Sequence, residues 1–306
     1  MKVYLGLSEE ARNLYKGNLM EEGSGYMSSR FLASAFVRRG HDLRVVHPSD
    51  LFEKGGNIFT RHTYSFRDDL FRPEEKNSII SGDVFFVYSL DEERPDSSQR
   101  YLDFLYPLEK QVNLMLNSAE STSYEHKPKQ KTLNLPWIPD FDVRNEKDLT
   151  DLLDYGERII AKPKIGSAGN GIHFLEDIAD VSLVKNNLQG HLYERFVPAN
   201  EERRYIFLDN QFIIGRRTLK EGAPGKEEVV GIDLMEGDSR EIDIARGVVN
   251  SLDMFFCSID FRDNYLLEIN GSGTGIAPPT VNKNRDSYNL SSPVVQAVER
   301  KFENGV

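Results

Sequence analysis

The chain has 306 residues, 39% of them hydrophobic and 28% charged, with a formal net charge of -11 at pH 7. That length allows two or three ordinary domains with cores of their own, and the excess of carboxylates excludes a general nucleic-acid binder, whose affinity rests on lysine and arginine against phosphates. The single cysteine excludes an intramolecular disulfide, and the six histidines show no HxH, HExxH or CxxC spacing that would signal zinc or a histidine-based triad.

Val3–Leu7 reads as a first core strand; its apolar run is too short for a signal peptide or a membrane span, so a cytoplasmic protein without a membrane partner is expected. Ser28–Arg39 places Phe31, Leu32, Ala35 and Phe36 at helical spacing and stops at Gly40, a natural C-cap. Leu43–His47 predicts a second strand, Asp83–Tyr88 another, Tyr101–Gln111 a helix and Val112–Leu116 a further strand. This alternation predicts a parallel sheet covered by helices over residues 1–117. Phe52–Ser81 is polar and rich in arginine and aromatics, and is expected to form an excursion over that unit.

Composition shifts at Ser118, where a polar, basic stretch broken by Pro128 leads into the turn Leu135–Pro139. From Lys147 the pattern runs helix, strand, glycine loop, strand and helix to about Gln189, a small unit over 118–190. Residues 191–306 open with strands at Leu192–Val197, Arg204–Leu208 and Gln211–Thr218. After the polar loop Lys220–Lys226 come a helix at Ser239–Leu252, paired strands around Asp260 and Glu268, and a helix near Pro293–Phe302. Cys257 falls in the apolar run Met254–Ile259, the setting of a buried inert thiol.

Ser258–Asn270 carries the most telling chemistry. Residues two apart on a strand share a face, so Glu268 and Asn270 point together while Ile269 turns to the core. The turn Arg262-Asp263-Asn264 folds the preceding strand back and brings Asp260 beside them. Two carboxylates and an amide oxygen are hard ligands of the kind magnesium takes, with positions left for water and phosphate. Upstream, Ile159–Gly171 passes from an apolar strand through Lys162 into a loop holding Gly166, Ser167, Gly169 and Gly171, where small residues let backbone N–H groups approach a phosphate. Alone, the first is the pattern of a solvated strand edge and the second that of a hairpin turn; together they point to nucleotide chemistry.

Taken in order, the lysine strand and its glycine loop, the strand ending Tyr193-Glu194-Arg195-Phe196-Val197, the basic strands and the Asp…Glu-x-Asn hairpin resemble the ATP-grasp superfamily. The order is most similar to the bacterial type of glutathione synthetase and to the ligases that add glutamate to a ribosomal protein. The segments SSRFLASAFVRRGHDLRVVHPSDL and PDSSQRYLDFLYPLEKQVNLMLNS agree with it. The resemblance implies an α/β ATP-grasp fold: an N-terminal parallel-sheet (pre-ATP-grasp) domain at 1–117, a small α+β lid at 118–190 and a C-terminal α+β catalytic subdomain at 191–306. It further implies ATP with two magnesium ions, manganese being an alternative, and small-molecule carboxylate and amine substrates joined through an acylphosphate. Dimers are common among such relatives, which leaves a homo-oligomer open.

By the same resemblance, Lys162 reaches the ATP phosphates and the loop at Gly166, Ser167 and Gly169 covers them. Glu194, Phe196 and Val197 bind adenine through backbone groups and an apolar wall, and Glu201 receives the ribose hydroxyls. Lys127 is the second phosphate lysine, with Lys129 and Lys131 as rivals. Arg204 meets the carboxylate or acylphosphate, and of the pair Arg216-Arg217 one faces the site; Arg216 is preferred because Ile214 and Thr218 share its face, with Arg217 left open. Asp260, Glu268 and Asn270 take the magnesium positions.

Two stretches depart from the pattern. Gly271–Gly275 is richer in glycine than the Asn-Val-Thr-Ser-Pro type, and KEEVVGIDLMEGDSRE replaces an Arg-x-Asn-(x)3-Gly-Gly loop. A kinase that stops at the phosphorylated acid and a non-catalytic nucleotide-binding regulator are therefore alternatives. A dinucleotide-dependent oxidoreductase is disfavoured, because no GxGxxG follows the first strand.

Overall fold

A computed structural model describes residues 1–7, 24–67, 70–88, 95–164, 171–222, 228–271 and 289–305. Its first sheet is built on β1 (Lys2–Gly6), β2 (Asp42–Val46), β6 (Val84–Val87) and β7 (Leu114–Leu116), which run parallel in the order β2-β1-β6-β7. Alternation along these strands divides their side chains between two cores. Val3, Leu5 and Val45 pack under α1 (Ser24–Arg38), whereas Tyr4, Val46 and Phe85 pack under α2 (Pro95–Glu109).

The stretch left as an excursion is part of this sheet. β3 (Leu51–Lys54), β4 (Asn57–Arg67) and β5 (Leu70–Ile79) pair antiparallel with one another, and Tyr64 of β4 pairs with Val45 of β2. The last helix, α7 (Ser291–Gly305), also packs here: Val294, Val295 and Val298 join the core under α1. Its apolar face shares one core with the first sheet and with Ile206, Leu208 and Phe256 of the C-terminal segment.

The second sheet has the order β10-β9-β11-β8, all antiparallel, from β8 (Asp140–Phe141), β9 (Ile159–Pro163), β10 (His173–Leu175) and β11 (His191–Arg195). Sequence reading opened the C-terminal segment with β11; its hydrogen bonds go to β9 and β8 instead. Helix α5 (Glu146–Asp154) begins with a capping box in which Asn145 and Asp148 exchange side-chain to backbone bonds. It lays Leu149 and Leu153 on Ile159, Ala161 and Tyr193. The expected closing helix is two short 3-10 runs, Ile178–Leu183 and Lys185–Gly190.

The third sheet is antiparallel throughout, β14-β13-β12-β15-β16, formed by β12 (Glu201–Leu208), β13 (Gln211–Glu221), β14 (Glu228–Met235), β15 (Phe256–Arg262) and β16 (Tyr265–Asn270). β14 occupies the stretch that sequence reading had treated as a replaced loop. One face carries Tyr205, Phe207, Ile259 and Phe261 onto Ala245, Val248 and Val249 of α6 (Ser239–Ser251), whose N-cap is Asp238. Cys257 is wholly buried in this core, and burial pushes its thiol pKa up, as an inert thiol requires. Among the described residues, no helix is long and apolar enough to cross a membrane.

Asn117 joins the first and third sheets. It sits just past β7 at φ 54° and is 2% exposed. Its amide nitrogen donates to the carbonyls of Val87, Phe256 and Gly271, and its oxygen accepts from the N–H groups of Phe255 and Phe256. Asparagine suits a left-handed position and satisfies buried backbone groups that alanine would leave unpaired. Asn117→Ala is expected to cost about 3 kcal/mol in urea denaturation; a loss below about 1 kcal/mol would show that this junction is not what joins the sheets.

Candidate active site

The paired strands β15 and β16 set Asp260 opposite Glu268 and Ser258 opposite Asn270, on the face turned away from α6. A bulge between Asp260 and Phe261 absorbs one residue, so Leu266 and Ile269 still reach the core while Glu268 and Asn270 stay on the other side. The Asn270 amide nitrogen donates to Asp260 Oδ2 at 3.2 Å. The three predicted groups are thus together. Arg204, directly opposite Asp260 on β12, holds both of its oxygens at 2.7 and 2.6 Å.

Lysines arrive from a strap laid along the free edge of β16. Gln130 of α4 (Lys127–Gln130) is 2% exposed and exchanges both amide hydrogen bonds with Ile269, and Leu266 bonds the backbone of Pro136 and Ile138. That attachment puts Lys127 Nζ 3.1 Å from Glu268 Oε1. One turn on, Lys131 Nζ lies 2.7 Å from Glu194 Oε1, and Lys162 Nζ lies 2.5 Å from Glu194 Oε2. Lys129 points elsewhere, onto Glu120 and the Tyr124 ring. The Lys127 N–H also donates to the Lys164 carbonyl, tying the strap to the chain just past β9. Of the rivals, Lys131 is the one placed beside Lys162, and Lys127 stands over the acidic hairpin.

Lys162 and Glu194 share the face of the second sheet opposite α5, since Ala161 and Tyr193 take the core side. Glu194 is 2% exposed. Burial pushes its pKa up, but the Lys162 and Lys131 ammoniums outweigh that and hold it below the usual carboxylate range. His126, beside the strap, is pushed down by burial and by Lys164, Lys127 and Lys129. The local field is cationic.

On β13, Arg216 stands opposite Arg204 and so shares its face, while Arg217 stands opposite Arg203. Arg217 pairs with Asp233, and Arg203 with Glu241 at the start of α6, on the far side of the sheet. The preferred member of the pair is therefore the one on the Asp260 face. Glu201 is not: its carboxylate goes to Arg203 and Arg217, away from Arg204. Strand alternation delivers Glu202 in its place, opposite Arg262 and 2.8 Å from Lys220. Its spacing of two from Arg204 was the available signal.

Phe196 is buried, but its ring is covered by two guanidiniums, with Arg158 at 5.1 Å and Arg262 at 5.4 Å, and by the edge of Phe174 at 5.0 Å. It connects second and third sheets rather than offering a bare wall; Val197 beside it is 9% exposed. Arg262, two residues past Asp260, was read in the sequence only as the start of a turn; it is the last residue of β15. Gly166, Ser167 and Gly169 lie outside the described residues, as do Ser272–Gly275 and most of the Lys220–Lys226 loop.

The donors at Asp260, Glu268 and Asn270 are all oxygens on adjacent strands, which fits a hard cation such as magnesium. Among the described residues no three His, Cys, Asp or Glu side chains group to hold a metal; the third donor here is an amide.

No family model matches the chain, and no curated protein matches it in sequence. Solved structures match it from end to end. The ATP-grasp ligase PsnB complexed with a minimal precursor, Mg and ADP is 15% identical over 98% of each chain, with a TM-score of 0.59. D-cycloserine synthetase DcsG is 12% identical over 99% of this chain and 100% of its own, TM-score 0.64. The macrocyclase MdnC from Microcystis aeruginosa, bound with precursor peptide MdnA, is 11% identical over 98% and 100%, TM-score 0.61.

The chain has the ATP-grasp fold. The expected α/β architecture is confirmed at that level, while identities this low carry the fold and no more. The acidic hairpin belongs to the third sheet.

Proposed function

We propose that the chain is an ATP-dependent carboxylate–amine ligase that forms an amide through an acylphosphate on a small amino acid or peptide. The observation that carries this reading is the strap. Lys127 and Lys131, one helical turn apart, touch Glu268 on the third sheet and Glu194 on the second, so cations suited to phosphate stand beside a donor set suited to a hard metal. In support, a neighbour in fold holds Mg and ADP with its precursor. The glutathione-synthetase-like kind rests on motif order in the sequence.

The chemical obstacle is the approach of an anionic carboxylate to a triphosphate. Lys162 and Lys131 offer ammonium donors to phosphate oxygens without losing Glu194, since each ammonium has three N–H groups. Arg204 and Arg216, side by side on one face, suit two-pronged binding of the carboxylate and of the transferring phosphoryl group. Asp260, Glu268 and Asn270 would hold magnesium, which neutralises phosphate charge as the phosphoryl group moves. Glu202, on the site face, takes the ribose role first given to Glu201. The domain division is part of this reading, with the lid extended through β11.

Incubation with ATP, magnesium and the common amino acids, offered singly and in pairs as carboxylate and amine, is expected to release phosphate with at least one pair and to yield the amide by mass spectrometry. ATP binding without phosphate release from any pair would favour a regulatory nucleotide-binding protein. A phosphorylated acid as the final product would favour a kinase.

A further inference from the structure

The carboxyl edge of the first sheet holds a polar cluster that the phosphate chemistry does not use. His47 directly follows β2, is wholly buried, and places Nδ1 3.1 Å from the carbonyl of Leu7, the residue after β1. Three residues on, Asp50 is 3% exposed, its Oδ2 buried with no hydrogen-bond partner among the described residues. Its Oδ1 lies 3.2 Å from Nδ1 of His62, whose side chain is 36% exposed. His62 reaches this corner because β4 runs back beside β2 and is bulged between His62 and Tyr64, a device that re-aims side chains near functional sites.

A carboxylate removed from water is costly unless paired. Among the described residues, the partner it is given is one half-exposed imidazole. In the tautomer that donates from His62 Nδ1 to Asp50 Oδ1, Nε2 is the acceptor, the arrangement by which a carboxylate orients a histidine base. The place also fits a ligand: open α/β sheets bind them outside the carboxyl ends of their strands. The same edge meets the acidic hairpin, since Asn117, past β7, bonds both Val87 at the end of β6 and Gly271 next to Asn270. Among the described residues, Tyr64 beside it and Lys76 opposite on β5 are the other titratable groups facing His62, with His47 edge-on to Tyr64.

We propose that His62, oriented by Asp50, is the base that accepts a proton from the ammonium group of the amine substrate. This rests on the ligase reading. One ammonium proton passes to His62 Nε2, and the freed nitrogen pair attacks the acylphosphate carbonyl carbon. The C–N bond forms, the C–O bond to phosphate breaks with its electron pair on the phosphate, and the second nitrogen proton leaves with that phosphate.

Hydroxylamine separates the steps, because it is uncharged at neutral pH and traps an acylphosphate as a hydroxamate without prior deprotonation. The full chain is assayed at pH 7 with the amino-acid pair that releases phosphate, then with hydroxylamine in place of the amine. His62→Asn, which retains a donor for Asp50, is expected to lower amide formation at least about 100-fold while hydroxamate yield stays within about two-fold of the unaltered protein. Asp50→Asn is expected to show the same split with a smaller loss. Hydroxamate formation by the same samples reports that they are folded. An equal fall in both products, or no fall in either, overturns the assignment of His62 alone; no hydroxamate from the unaltered protein overturns the ligase reading and this proposal with it.

Discussion

Replacing Glu268 by glutamine is expected to reduce phosphate release about 1000-fold, the equivalent of about 4 kcal/mol of lost charge stabilisation where a metal ligand is removed. Folding is expected to survive. The Glu268 side chain is 28% exposed and its ion pair with Lys127 is partly solvated, so that pair contributes at most about 1 kcal/mol. Two measurements on one sample separate the effects: the urea midpoint should move little, and the strengthening of ADP binding by magnesium should be largely lost. Retention of near-normal turnover, or of full magnesium-dependent ADP binding, would refute the placing of the cation at this hairpin. Asp260 is a poorer probe, because removing its charge also strands the guanidinium of Arg204 that holds both of its oxygens.

The second large effect is on stability. Glu194 is 2% exposed and receives Lys131 on one oxygen and Lys162 on the other, so Glu194→Ala leaves two little-exposed ammoniums without their carboxylate. Breaking a buried ionic group from one side costs about 3–5 kcal/mol, whereas replacing all its members by apolar residues of similar size is about neutral. The triple variant Glu194→Met, Lys131→Met, Lys162→Met is therefore expected to melt near the unaltered protein and to have lost ADP binding. If the alanine variant melts unchanged, the triad is not buried in solution; if the triple variant still binds ADP, these lysines are not the phosphate ligands. The pH dependence has a definite sign. The folded-state pKa of Glu194 is lowered from 4.5, so its contribution is complete above the ordinary carboxylate range and is lost as pH falls through the depressed value. Glu194→Gln is expected to remove that part of the acid limb in melts recorded from pH 7 downward.

Much of the fold was legible because strands and helices announce themselves by period. Val3–Leu7, the helix ending at Gly40 and the hairpin around Asp260 and Glu268 all stand within a few residues of where alternation and capping put them. Phe52–Ser81 was opaque for a physical reason. It forms bent antiparallel strands at a sheet edge, where burial changes face along the strand and no single period holds. β14 escaped notice because an edge strand with half-exposed Val229 and Val230 offers little apolar contrast.

At the site, residue types and spacing selected Asp260, Glu268, Asn270 and Lys162, since side-chain chemistry and the two-residue period of a strand are local properties, and the family resemblance added Arg204. Which of the three strap lysines stands beside Lys162, why Glu202 and not Glu201 joins Arg204, where β11 pairs, and that Asp50 meets His62 were decided only in three dimensions. Sequence period tells a side chain which way to point. What it points at depends on strands paired across tens of residues, and on a strap whose position Gln130 sets by hydrogen bonds to Ile269, 139 residues away.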